Sequence, residues 1–170
     1  VLRRAVRYVD SCRLPNGAYE YDLNPIPRLQ GGEHINAVPG SLGRIQVCNW
    51  ALAEVGVPRV TADLLREGLA HFLDEHRFLD AARLRPIPHE AYFANAGYFY
   101  FFGHYYAALA ANLLPVDERE GWHARLRPHL VKAMRENGST TDFLDADYDV
   151  LASTAFLALA LHAGMPGARR

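Results

Sequence analysis

Net charge is what this sequence has least of. Its 18 Lys and Arg residues almost balance its 19 Asp and Glu residues, and the formal net charge is -1 at pH 7. Neither a basic stripe nor an acidic tail stands out along the chain. Since nucleic acids and anionic membranes bind clusters of Lys and Arg, the composition argues against both as partners.

Cysteines and long apolar runs are also scarce. The two cysteines, Cys12 and Cys48, lie in apolar helical patterns. This favours core positions in a reducing compartment, with the cytoplasm as the favoured location, and leaves a single disulfide as an open alternative. The longest apolar run, residues 150–163, contains three polar residues and is too short to cross a bilayer, so we predict no membrane span.

Helical periodicity, by contrast, is abundant, and no convincing strand pattern accompanies it. The predicted helices cover residues 1–13, 41–55, 62–77, 95–114, 128–136 and 150–163, with a short extra helix over 118–125. Thr61 is the expected cap of the third helix and Asp117 that of the extra one. Pro128 suits a first helical turn, where its missing N–H costs nothing.

The predicted helices are of two kinds that alternate along the chain. Residues 62–77 place charged side chains on one side and apolar ones on the other, as in an amphipathic helix with one wet face. Residues 41–55 and 150–163 lack a continuous polar stripe, which predicts helices covered on several sides. The alternation indicates helical hairpins in two layers. The loops LPNGAYEYD and RENGSTTDF, each with an Asn-Gly turn signal, repeat after outer helices.

Three stretches carry a resemblance to a known family. They are MRENGSTTDFLDADYDVLASTAFLALAL, the weaker CRLPNGAYEYD and PGSLGRIQVCNWALAEVG, and the aromatic GYFYFFGHYYAALA. Together they resemble the prenyltransferase and squalene-cyclase repeat of terpenoid cyclases and protein prenyltransferases. The resemblance implies an all-α fold, an α/α toroid or partial toroid of about three hairpins that forms one domain over residues 1–170. Complete toroids of this family have five to seven hairpins, so the resemblance implies either a fragment of a larger ring or an open arc. The ring would be completed by self-association, by another chain or by a missing segment.

The same resemblance points to an acidic motif. The text nearest to the Asp-x-Asp-Asp motif of class II terpene cyclases is DADYD, which offers Asp145, Asp147 and Asp149 as catalytic candidates, with Tyr148 in place of the last Asp. The alternative is a solvated acidic helix N-terminus. The zinc site of protein prenyltransferases is not matched, because Cys48 lacks the Asp-x-Cys pairing and the histidine spacings fit no ligand pattern. We therefore predict no metal and no other cofactor.

The aromatic segment NAGYFYFFGHYY, residues 95–106, holds seven Phe or Tyr residues and supplies the ligand candidates. One helical face presents Tyr98, Phe102 and Tyr105, which in the cyclases would line a cavity, and His104 at the flank is a candidate proton carrier. Substrate contacts are also expected from Arg44 and Tyr148, at inner helix N-termini. The alternative is plain core packing.

The expected function is that of a terpenoid-cyclase-like or prenyltransferase-like repeat domain. It would bind an apolar, isoprenoid-like small molecule at the mouth of the inner helices. Whether it is an enzyme stays open, because neither catalytic signature is matched and a catalytically reduced domain is expected. The alternatives are a non-catalytic helical-repeat scaffold for protein–protein interaction and a carbohydrate-active α/α toroid.

Overall fold

The computed structural model describes residues 1–21, 34–144, 147–165 and 167, without the side chains of residues 147 and 148. Within these ranges the chain is all-α, as predicted, with no strand beyond an isolated bridge between Arg13 and Tyr19. The helices are α1 (Leu2–Ser11), α2 (Leu42–Glu54), α3 (Ala62–Asp74), α4 (Arg77–Ala82), α5 (Phe99–Ala111), α6 (Val116–Ala133) and α7 (Asp147–Ala163). Short 3-10 turns lie at Val38–Gly40 and Tyr92–Ala94. None of the described helices has the length and apolarity needed to span a membrane.

Two helix predictions are wrong around α6. The segment 118–125 and residues 128–133 of the segment 128–136 form one continuous helix, with Pro128 in its interior and Pro115, not Asp117, at its N-cap. Pro128 cannot donate to the carbonyl of Ala124, but both residues are exposed, so water can satisfy that carbonyl. Asp117 lies in the first turn, where its charge suits the helix dipole.

The other helix predictions fare better. Thr61 caps α3 as predicted, because its Oγ1 accepts a hydrogen bond from the Leu64 N–H at 3.3 Å. The third helix ends earlier than predicted, at Asp74, and α4 occupies part of a segment that we interpreted as a loop. Both cysteines are free thiols in a small cluster with Ile45 and Leu52. This confirms their core positions.

The helices form two layers. In one layer α5 lies between α2 and α7, while α3 and α6 pack against this layer and α1 packs against α2. The backbones of α2 and α5 approach closely at two glycines, since a Cβ on Gly103 would lie 3.3 Å from the Gly43 Cα and 2.9 Å from the Phe72 ring. Along the chain, the three helices of this layer, α2, α5 and α7, follow α1, α3 and α6. Closure into a ring remains a prediction.

The predicted Asn-Gly turns are confirmed, and they share one hydrogen-bond pattern. Gly17 and Gly138 adopt positive φ values of 84° and 83°. The side chain of Asn16 accepts from the Ala18 N–H at 3.1 Å, and Asn137 accepts from the Ser139 N–H at 3.0 Å. We call α1 with α2 the first hairpin, α3 with α5 the second and α6 with α7 the third. The first and third hairpins are thus built from equivalent turns.

The same two turns bind their inner helices in the same way. In the first hairpin, the Tyr19 N–H donates to the Ser41 hydroxyl at 3.0 Å and the Tyr19 carbonyl accepts from it at 3.1 Å. In the third hairpin, Thr140 and the Thr154 hydroxyl repeat this exchange at 3.0 and 3.4 Å. A serine or threonine hydroxyl therefore fixes each turn to its inner helix.

One expectation about α7 is wrong. A helix that is apolar nearly all round was expected to be covered on several sides, and the side that carries Ser153 and Leu157 is buried. The opposite side is not covered within the described part of the chain, where Leu151 is 82% exposed and Leu159 46% exposed. The inner layer therefore has an apolar edge.

Candidate ligand site at the inner helix N-termini

The N-termini of the inner helices lie at one end of the molecule. Asn95, just before α5, donates from Nδ2 to the carbonyl of Pro39 at 2.9 Å, just before α2. The Leu84 N–H donates to the carbonyl of Asp142 at 2.8 Å, in the segment that leads to α7. Free N–H groups at helix N-termini attract anions, so this end favours a negatively charged ligand.

Arg44, in the first turn of α2, is a cation at this end. Its Nε donates to the carbonyl of Tyr19 at 3.2 Å and its Nη2 to that of Ile35 at 2.5 Å. Its Cζ lies 5.2 Å from the Tyr21 ring centroid and 5.9 Å from that of Phe99.

The described residues provide no carboxylate partner for Arg44, and its Nη1 is buried without a hydrogen bond. Burial lowers the pKa of Arg44 to about 10, so the guanidinium stays charged at neutral pH. A charged, half-buried guanidinium without a carboxylate partner among the described residues attracts an anionic group of a ligand.

A tyrosine–histidine pair lies beside this cation. The Nδ1 of His89 lies 2.7 Å from the carbonyl of Ala94, which can only accept, so Nδ1 carries the proton. The Nε2 of His89 is therefore the acceptor for the Tyr98 hydroxyl at 2.7 Å. Burial and, to a smaller extent, a 3.4 Å contact with the Tyr21 hydroxyl raise the pKa of Tyr98, which keeps the phenol protonated.

The segment that carries His89 has an unfavourable backbone. Four non-glycine residues have positive φ, at 66°, 66°, 56° and 52° for Leu84, His89, Phe93 and Ala94. Each such conformation costs about 1–3 kcal/mol and persists only where surrounding contacts enforce it. Here the bonds from Leu84 and His89 enforce it and place the imidazole next to Tyr98.

The predicted ligand face of α5 continues from this end. Tyr98, Phe102 and Tyr105 are all half-buried and lie on one side of the helix. We call these three residues the aromatic strip. The rings of Phe102 and Tyr105 both contact Phe156 of α7, at centroid distances of 6.0 and 5.7 Å. At 1.5 Å of rise per residue, the strip extends about 10 Å from the mouth.

An apolar cavity lies at the far end of the aromatic strip. Its volume is about 240 Å³, and its lining includes Trp50 of α2, Tyr105 and Leu109 of α5, and Leu159 and His162 of α7. The strip therefore connects a cationic mouth to an apolar cavity along one face of the inner layer.

The structure describes the acidic candidates only in part. Asp145 is outside the described residues, and Asp147 and Tyr148 lie in the first turn of α7 with side chains that the structure does not describe. The Oδ2 of Asp149 accepts hydrogen bonds from the Asp142 N–H and the Ser153 hydroxyl, both at 2.7 Å. These bonds make Asp149 part of the frame that fixes the turn to α7.

Asp142, which the sequence analysis did not single out, forms a pair with Asp149. Burial and then the neighbouring charge of Asp149 raise the pKa of Asp142 to about 8, so Asp142 is neutral at pH 7. Its Oδ1 is buried without a hydrogen bond and the residue is only 3% exposed. A protonated carboxyl group is thus present, but it lies beneath the surface.

His104 is fully buried rather than at the flank of a pocket. Its Nε2 lies 3.1 Å from the Nε2 of His76, and burial lowers its pKa well below the usual range for histidine. It belongs to a cluster with His76 and His129, which we call the histidine cluster.

Sequence reasoning missed His89, Tyr21 and Asp142. The repeat itself contained a signal for two of them, because Tyr21 and Asp142 occupy matching positions after the two Asn-Gly turns. No local pattern around His89 identifies it, since its position depends on an irregular segment.

Comparisons of the chain with protein-family models, with curated proteins and with solved structures find no match. The resemblance to the prenyltransferase and squalene-cyclase repeat therefore stays a prediction from the quoted residues.

Proposed function

We propose that this domain binds a small molecule with an anionic head group and an apolar, isoprenoid-like body. The head group contacts Arg44 at the mouth, and the body lies along the aromatic strip towards the apolar cavity. The single observation that carries this proposal is Arg44, a guanidinium without a carboxylate partner among the described residues, next to a half-exposed aromatic face.

The chemistry of the site supports binding more directly than catalysis. Tyr98 donates its only hydroxyl proton to His89, which a backbone carbonyl holds in one tautomer. The pair therefore fixes the Tyr98 ring at the mouth, and the Tyr98 oxygen can accept a hydrogen bond from a polar group. The neutral Asp142 is the residue with the pKa of a general acid, but its burial separates it from the mouth. This fits a domain that retains the ligand site and has reduced catalytic equipment.

A ligand series tests the proposal. Thermal unfolding is followed with geranyl, farnesyl and geranylgeranyl diphosphate, with inorganic pyrophosphate as head alone and farnesol as body alone. We expect the rise in Tm to increase with the length of the prenyl group until that group covers the whole aromatic strip. Farnesyl diphosphate at 100 times its Kd adds about 2.7 kcal/mol, or roughly 5–10 °C in Tm. No stabilisation by any diphosphate at millimolar concentration would contradict the proposal.

Two substitutions separate the head from the body. Arg44→Gln is expected to weaken all diphosphates about equally, since it removes the charge at the mouth. Tyr105→Ala is expected to weaken farnesyl diphosphate several-fold and leave pyrophosphate unchanged. Arg127→Gln, on the exposed side of α6, is the matched control and should change neither. Equal loss of pyrophosphate and farnesyl binding in Tyr105→Ala would argue for packing instead of ligand contact.

The exposed apolar edge of α7 supports self-association as a second candidate function. Leu151 and Leu159 are exposed where a further inner helix would pack in a longer ring, and a second copy of this chain supplies such helices. Analytical ultracentrifugation is expected to show a dimer that Leu159→Glu dissociates. A dimer with a binding free energy of about −5 kcal/mol has a Kd of about 100 μM. A chain that is strictly monomeric at about this concentration would remove this candidate.

A further inference from the structure

A histidine cluster behind α5 is independent of the mouth. His76 lies at the N-cap of α4, Asp80 follows one turn later on the same helix, and His129 comes from α6. His76 is 2% exposed, whereas the Asp80 side chain is 48% exposed and His129 is half-buried. The cluster therefore joins two helices and has one side open to solvent.

The hydrogen bonds in this cluster fix the protons on two of the rings. The Nδ1 of His104 lies 2.8 Å from the carbonyl of Tyr100, which can only accept, so Nδ1 carries the proton. His104 is fully buried, and burial favours the neutral ring, whose Nε2 has a lone pair. The contact of 3.1 Å between the two Nε2 atoms then requires that His76 donates to His104.

Because the Nε2 of His76 carries a proton, the state of its other ring nitrogen, Nδ1, has to be explained. If the ring is neutral, its Nδ1 has a lone pair, and this lone pair faces the Oδ2 of Asp80 at 3.1 Å. Two acceptors at this distance repel unless a positive charge lies between them. The charge is either a proton, which would make His76 an imidazolium, or a metal cation.

The geometry suits a metal cation. The Nδ1 of His76 and the Oδ2 of Asp80 already face each other at 3.1 Å. The Asp80 side chain is 48% exposed, so a cation can reach this position from solvent.

His129 supplies the third ligand. One potential ligand atom from each of His76, Asp80 and His129 lies within 4.8 Å of the others. The His76 and His129 rings are stacked with a 34° tilt at a centroid distance of 3.7 Å, so the His129 ring must turn to direct a nitrogen lone pair at the shared ion. Metal–ligand bonds of about 2.0–2.2 Å place tetrahedral ligand atoms roughly 3.4 Å apart, so closing the site needs movements of about 1 Å. The open side of Asp80 and His129 allows such movements.

We propose that His76 Nδ1, the Asp80 carboxylate and an imidazole nitrogen of His129 bind a divalent transition-metal cation of the zinc class. Two imidazoles and one carboxylate are a common donor set for zinc, and three protein ligands leave a fourth position for water. The bond from the His76 Nε2–H to His104 is the outer contact that metal-bound histidines usually make. The ion connects α4 to α6.

Titration of the tag-free chain with Co²⁺ and then Zn²⁺ tests this proposal. We expect a one-to-one Co²⁺ complex with visible absorption that Zn²⁺ displaces, and a higher Tm in zinc. Asp80→Asn and His129→Ala should each weaken zinc at least 10-fold, as even outer-contact changes do at such sites. Asp74→Asn, an exposed carboxylate on α3, is the control and should leave zinc affinity unchanged.

Two results would overturn the proposal. One is zinc affinity that Asp80→Asn leaves unchanged, and this variant is expected to fold because the side chain is half exposed. The other is absence of zinc binding together with a protonated His76 Nδ1 in nitrogen NMR spectra at pH 7, which would show that a proton lies between His76 and Asp80.

Discussion

The first and third hairpins share the hydrogen bonds that fix a turn to an inner helix, which we call the repeat frame, but the residues around these bonds differ. In both, an Asn-Gly turn is fixed to an inner helix by a hydroxyl, Ser41 in one and Thr154 in the other. Five residues before that hydroxyl, Asn36 and Asp149 each accept a backbone N–H, at 2.9 and 2.7 Å. The frame is equivalent, but one acceptor is neutral and the other is a carboxylate.

The residues around the two acceptors differ accordingly. In the first hairpin the N–H that Asn36 accepts belongs to Tyr21, whose ring faces Arg44 at the mouth. In the third hairpin the N–H that Asp149 accepts belongs to Asp142, a buried neutral carboxyl group. We infer that the repeat frame is structural in both hairpins and that the head-group end of the proposed ligand site lies in the first.

The largest expected effect is on stability, at Asp149. Asp149→Ala leaves the Asp142 N–H and the Ser153 hydroxyl without their acceptor in a buried place, which should cost about 2–4 kcal/mol of unfolding free energy. Asp149→Asn copies Asn36 and should cost at most about half as much. Urea denaturation measures both. Equal losses in the two variants would show that the hairpins are not equivalent.

The next effect is a pH dependence at Asp142. Its pKa of about 8 in the folded chain lies above its ordinary value of 3.8. The folded state therefore keeps a proton that the unfolded state releases, and stability falls as pH rises through this window, by at most about 1.4 kcal/mol per pH unit.

Asp142→Asn removes this dependence. As pH rises from 4 to 8, we expect the unfolding free energy of the variant to increase relative to that of the unsubstituted chain. At pH 8 the variant should be the more stable of the two. The control is Glu136→Gln, which changes an exposed carboxyl group of the same region. Parallel curves of unfolding free energy against pH for Asp142→Asn and the unsubstituted chain would contradict a raised pKa.

The smallest effect is expected at the mouth. Tyr98→Phe removes the hydroxyl that His89 accepts, but water can reach the half-buried imidazole, so the cost should be about 0.5–1 kcal/mol. Hydrogen exchange should become faster in residues 84–94, because one contact that holds their positive φ values is lost. Unchanged exchange there, with the same loss of stability, would mean that Tyr98 does not support this segment.

The sequence predicted what depends on local chemistry. Asn-Gly at residues 16–17 and 137–138 specified the turns, Thr61 specified a cap, and a helical spacing placed Tyr98, Phe102 and Tyr105 on one face. Each of these follows from a few neighbouring residues.

The sequence could not predict what depends on contacts between distant segments. We expected Pro128 to start a helix, but it lies inside α6. This position is tolerated because Pro128 is exposed, and its exposure depends on how α6 packs, which the local sequence does not show. His89 and Asp142 acquire their surroundings from an irregular segment and from α7. The histidine cluster needed residues of α4, α5 and α6 together, although His76 and Asp80 one turn apart on a helix were a visible sign.

The most direct test of the central claim is calorimetric titration of farnesyl diphosphate into two variants. Arg44→Gln changes the first hairpin and Asp142→Asn the third. The account predicts at least a 10-fold weaker Kd in Arg44→Gln, about 1.4 kcal/mol or more, and an unchanged Kd in Asp142→Asn. Loss of binding in Asp142→Asn with Arg44→Gln unaffected, both variants being folded, would place the ligand site in the third hairpin and contradict the account.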